Sequence, residues 1–111
     1  RTKRFGLRVI KLCEALPNTA TAHVIRNQLL RSGTSVGANY RTACRAKSPA
    51  DFISKMGTVE EETDESLYWM EMLIEADIVK KAVLEALMKE GNEILAMTVS
   101  SINTARHGKR Q

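Results

Sequence analysis

Ser32-Gly33-Thr34-Ser35-Val36-Gly37 decides the fold, because this hexapeptide reads as a loop by propensity and as the middle of a helix by register. Each glycine costs about 1 kcal/mol relative to alanine in a helix interior, and serine and threonine favour turns. Against that, Ile25, Leu29, Val36, Tyr40 and Ala43 share one face at 100° per residue only if the helix runs unbroken through the hexapeptide. Gly33 and Gly37 are four apart and lie beside that face, an arrangement that lets a second helix approach the backbone closely. The register is the stronger signal, and it predicts a helix over about 21–47.

Working outward, the preceding segment places Phe5, Val9, Leu12, Cys13 and Leu16 on one face, which predicts a helix over about 2–16. Pro17 stops it, and Asn18-Thr19 supplies the next N-cap. Downstream, Ser48-Pro49-Ala50-Asp51 carries a serine N-cap, proline at the first helical position and an acid at the third. Phe52, Met56, Val59, Thr63, Leu67, Met70 and Ile74 then recur in steps of three and four, a bundle seam over about 49–76. After a break at Asp77 to Val79, Val83, Leu87, Ile94, Thr98 and Ile102 predict a last helix over about 80–106. Gly108 is placed to cap it, and Lys109-Arg110 form a basic tail. Long helices joined by short connections must be antiparallel neighbours, so the expected fold is an all-α, up-down four-helix bundle forming one domain over 1–111.

Composition agrees: 43% hydrophobic and 27% charged residues with only 5% aromatic is globular but poor in sheet formers. No apolar run approaches the roughly 20 residues that span a bilayer, so no membrane association is expected. The basic start, Arg1-Thr2-Lys3-Arg4, lacks a signal core, and the expected compartment is the cytoplasm. Cys13 and Cys44 form no CxxC pair and are expected to be reduced, buried thiols.

Several stretches together resemble a family of four-helix-bundle proteins encoded within intervening sequences of bacterial 23S ribosomal RNA genes. They are Leu30 through Arg41 with its Ser-Gly-Thr-Ser-Val-Gly-Ala-Asn-Tyr-Arg string, Ser48 through Lys55, and Glu65-Ser66-Leu67-Tyr68-Trp69-Met70. The chain departs from the family pattern at Thr42, usually glutamate, and at Met56-Gly57-Thr58, which is less helix-friendly. The resemblance implies a cytosolic bacterial protein that assembles as a ring-shaped homopentamer. It also implies a distant relation to accessory proteins of diversity-generating retroelements, which bind nucleic acid and a reverse transcriptase.

Charge is the main functional signal of the residues themselves. Residues 1–47 carry ten Lys/Arg and one acid (net +9), residues 48–78 one and nine (net −8), and residues 79–111 six and three (net +3). Arg1, Arg4, Arg8 and Lys11 step along the first helix as a basic stripe. Arg31, Arg41 and Arg45 fall within about 80° of one another, opposite Leu29 and Val36. Arg4, Arg8, Lys11, Arg31, Arg41, Arg45 and Lys47 are therefore candidate phosphate contacts of RNA or DNA, and a symmetric oligomer would multiply each weak contact. No aromatics interleave with them, so base stacking has little support and little sequence specificity is expected. The opposing reading stands level: Glu60, Glu61, Glu62, Asp64, Glu65, Glu71 and Glu75 offer these arginines ordinary ion-pair partners, and a protein-interaction scaffold needs no nucleic acid.

No enzyme chemistry is expected. Neither His23 nor His107 follows a glutamate by three, which the di-metal sites of helical bundles require, so no metal or cofactor is expected. Neither cysteine has a nearby histidine, and Ser32 and Ser35 sit on no strained elbow. Tyr68-Trp69 read as core or subunit interface.

Overall fold

A computed structural model describes residues 1–108, so the Lys109-Arg110 tail lies outside the described residues. Four helices and no strands are present among them: α1 (Thr2–Glu14), α2 (Ala20–Cys44), α3 (Pro49–Glu75) and α4 (Lys81–Gly108). Each helix packs on its sequence neighbours, α1 also touches α4, and the diagonal pairs α1/α3 and α2/α4 do not meet. With connections of only a few residues, this is the up-down four-helix bundle.

The helix boundaries follow from local chemistry. The Thr19 hydroxyl accepts the Ala22 N–H at 3.2 Å and starts α2. At α3, Ser48 Oγ accepts the Asp51 N–H at 3.0 Å, while the Asp51 carboxylate reaches back to the Lys47 N–H at 3.3 Å. This reciprocal cap takes Arg45 through Lys47 for the turn, so α2 stops at Cys44, three residues short of the expected end. At the far end of α3 the Ile78 N–H reaches Leu73 O at 2.9 Å and the Asp77 N–H reaches Ile74 O at 3.0 Å. Asp77 takes the left-handed conformation (φ 58°) that usually falls to glycine in this stop. Gly108 is the last residue of α4 rather than a cap beyond it.

The deciding hexapeptide is helical throughout. Its hydroxyls turn back on their own helix: Thr34 Oγ1 donates to Leu30 O and Ser35 Oγ to Arg31 O, both at 2.7 Å. Its glycines let α1 in. A Cβ at Gly33 would lie 2.7 Å from Val9 Cγ1, and one at Gly37 would lie 3.3 Å from the Lys3 nitrogen and the Thr2 carbonyl. Gly6 answers from α1, where a Cβ would lie 3.5 Å from Gly33 O.

Phe5, Val9, Leu29, Val36, Met56, Val59, Met70, Leu73 and Leu84 are fully or almost fully buried and form the core. Three expected core positions differ. Tyr40 is 41% exposed, although it shares the helical face of the buried Val36 and Ala43. Val83 is 64% exposed and Leu84 takes the core position. The face of α4 runs Leu84, Leu87, Gly91, Ile94, Thr98, Ile102, with Gly91 making room for Leu67. Cys13 is buried as expected, but Cys44 is exposed at the end of α2. No helix among the described residues is long and apolar enough to cross a membrane.

Candidate nucleic-acid interface

The basic residues divide into those with a carboxylate partner and those without. Arg1 clamps Glu90, with Nε to Oε2 at 2.7 Å and Nη2 to Oε1 at 2.9 Å, and also reaches Glu93 at 2.5 Å. This hydrogen-bonded guanidinium holds the Glu90 carboxyl below the usual carboxylate range. Arg1 thus ties the start of α1 to α4 and leaves the basic stripe.

Arg31 is also engaged. Its Nη1 lies 3.2 Å from Glu62 Oε2, and its Nη2 bonds Glu65 Oε2. Trp69 Nε1 donates to that same Glu65 oxygen at 3.0 Å. Directly inward, Ser32 and Ser66 meet hydroxyl to hydroxyl at 3.1 Å, both fully buried. Two of the three stretches that carry the family resemblance, from Leu30 and from Glu65, therefore meet across the α2–α3 seam at Arg31-Ser32 and Glu65-Ser66. Arg31, Ser32, Glu65, Ser66 and Trp69 satisfy one another there, which assigns these five to holding the helices together.

Arg4, Lys11, Arg41, Arg45 and Lys47 are exposed, and none has an ion-pair partner among the described residues. Arg8 is partly buried on the α4 flank of α1, where its charge also helps to depress Glu90. Arg31 and Arg41 go to opposite flanks of α2. Arg31 leans onto α3, whereas Arg41 lines a groove between α1 and α2 together with Lys3, Gly6, Leu7, Gly37 and Ala38. The expected trio of arginines is therefore split, and Lys3 joins Arg41 in its place. Sequence reasoning passed over Lys3 because the groove is created by the glycine contacts of α1 on α2.

Among the described residues no group of three or more His, Cys, Asp or Glu side chains is placed to hold a metal ion. Burial pushes the Cys13 thiol up to about 11. The neighbouring Cys44 thiol raises the Tyr40 phenol above its ordinary range.

These features define a class: an all-helical up-down bundle with a polar α2–α3 seam, exposed unpaired cations on α1 and α2, and exposed carboxylates along α3. The chain belongs to the 23S rRNA-intervening sequence protein family, whose family model matches residues 1–100. Its fold is similar to that of a crystal structure from Bacteroides thetaiotaomicron VPI-5482, a protein of unknown function from the S23 ribosomal protein family. The two share 37% identity over 91% of this chain and 94% of that one, with a TM-score of 0.85. No curated protein matches the chain.

Proposed function

We propose that this protein is a non-enzymatic, cytoplasmic accessory that assembles as a homo-oligomer, a ring of five on the family resemblance, and binds nucleic acid through its basic side with little sequence specificity. The observation that carries the reading is the set of exposed cations left without carboxylate partners among the described residues: Arg4, Lys11, Arg41, Arg45 and Lys47. Arg41 and Arg45 lie one turn apart, with Lys47 just past the helix end, so they present charge to a phosphate backbone without breaking an internal ion pair. Phosphate contacts of this kind release counterions, and each contributes close to one unit to the salt dependence of binding to duplex DNA.

The test is fluorescence anisotropy of labelled double-stranded DNA, single-stranded DNA and structured RNA over a salt series, with the wild type and an Arg41→Glu/Arg45→Glu variant. The reading expects log affinity to fall linearly with log salt and the variant to lose most of its binding at unchanged helicity. Absence of binding by the wild type at low salt would sink it. A scaffold for a protein partner would then take its place, and the pairing of Arg31 with Glu62 and Glu65 favours that alternative, since it removes one of the expected phosphate contacts.

A further inference from the structure

The +9 and −8 segments of this chain present their free charge on surfaces that cannot reach each other within one molecule. The first is the groove between α1 and α2. Gly6, Gly37 and Ala38 contribute small residues to its lining, Leu7, 56% exposed, also lines it, and Lys3 and Arg41 are its two cations. The second is the outer ridge of α3. Glu61, Asp64, Tyr68, Glu71, Met72 and Glu75 are all exposed there, and none of the four acids has an ion-pair partner among the described residues. Tyr68 is 52% exposed and set edge-on against Trp69 at a ring-centroid distance of 4.9 Å, so a large aromatic ring stands on an acidic ridge.

An apolar groove with a cationic rim and an aromatic knob flanked by carboxylates are complementary in polarity and in sign. Buried aromatics are the side chains that anchor interfaces, and matched fields orient the approach of the partners. Because α1 and α3 occupy diagonal corners and make no contact, the knob of one molecule can fill only the groove of another.

We infer that Tyr68 and Met72 on α3 of one copy dock into the α1–α2 groove of a second copy, with Glu61, Asp64, Glu71 and Glu75 facing Lys3 and Arg41. This contact is heterologous, joining two different patches, so every copy offers one free groove and one free knob. It rests on the homo-oligomer part of the proposed function; in the assembled state Arg41 faces the neighbouring copy, and Arg4, Lys11, Arg45 and Lys47 are the cations left to contact phosphate.

Two substitutions test it without changing any charge. Ala38→Trp fills the groove, and Tyr68→Ala removes the knob; both sites are exposed, and thermal melting controls for folding. Sedimentation velocity over a concentration series should show assembly of the wild type that weakens with salt, and at least a tenfold weaker association for each variant. An equimolar mixture of the two variants should give a 1:1 heterodimer and nothing larger, since one live groove meets one live knob. A wild type that stays monomeric at the highest concentration overturns the inference, as do variants that assemble like the wild type or a mixture that stays monomeric. Assembly is read without nucleic acid, so failure of nucleic-acid binding is scored separately.

Discussion

Ser32 Oγ and Ser66 Oγ lie 3.1 Å apart in the buried α2–α3 seam, and each hydroxyl also lies near a carbonyl of its own helix, Leu29 O at 3.3 Å and Glu62 O at 2.8 Å. One proton therefore bridges the helices and the other is held locally. Replacing either serine by alanine leaves the other buried hydroxyl with a partner on its own helix, so each single change is expected to cost about 1 kcal/mol. The Ser32→Ala/Ser66→Ala double variant should cost less than the two singles summed, because one shared bond is lost only once. Urea denaturation measures this. Strictly additive losses would mean that the bridge contributes nothing.

Three glycines of the bundle are expected to respond in opposite directions. Gly57 has open space where a Cβ would go, so Gly57→Ala should stabilise by up to about 1 kcal/mol through helix propensity alone. Gly37→Leu drives a side chain into the backbone of Thr2 and Lys3 and should destabilise by about 3 kcal/mol or more, or separate α1 from α2. Gly33→Ala meets the fully buried Val9 side chain and should fall between, at about 1–3 kcal/mol. Wild-type melting of Gly37→Leu would refute the close approach of α1.

Asp77 ends α3 with a positive φ of 58°, where a Cβ is unfavourable. Asp77→Gly relieves this and keeps both bonds of the helix stop, which are made by backbone groups. An increase of up to about 1 kcal/mol is expected from thermal or urea unfolding. A loss of stability would show that the aspartate side chain contributes more than its conformation costs.

Alkaline pH should weaken the fold through Cys13. Its thiol is pushed up to about 11 in the folded state from an ordinary 9.0, chiefly by burial. Below pH 9 both states hold the proton and stability is unaffected. From about 9 to 11 only the unfolded chain ionises, so the folded state loses stability, by no more than about 3 kcal/mol, and the loss levels off above 11. Urea midpoints across this range should fall in the wild type and fall less in Cys13→Ala. Native thiol labelling should modify the exposed Cys44 quickly and Cys13 only on unfolding.

Arg31 lies nearly half exposed over Glu62 and Glu65, so Arg31→Met should cost only about 0–1 kcal/mol, and less in high salt. Arg31→Glu adds a third carboxylate to the pair and should cost more, with part of the loss recovered by salt. If neither variant moves the melting temperature, Arg31 is not a structural tie.

The ends of the helices were legible in the sequence wherever the chemistry is local. Thr19 and Ser48-Pro49-Ala50-Asp51 are read from a few adjacent residues, and the structure forms the hydrogen bonds they imply. The seam from Met56 to Met70 was equally legible, because helical periodicity reports a buried face directly. Tyr40, Val83 and Cys44 were not. Periodicity says which face a residue occupies but not how fully a neighbouring helix covers it at that level.

The sequence by itself determined four helices, the N-caps at Thr19 and Ser48, and the separation of basic from acidic segments, because these depend on neighbours within a turn or two, and the short connections then set the antiparallel order. Only the tertiary structure decided which charges are free. It brought Arg31 onto Glu62 and Glu65, Arg1 onto Glu90, and Lys3 beside Arg41. Ion pairs between helices form across gaps whose width is set by packing, and the juxtaposition of Lys3 with Arg41 follows from the close approach of α1 to α2 at Gly6, Gly33 and Gly37; the order of residues along one chain does not encode either.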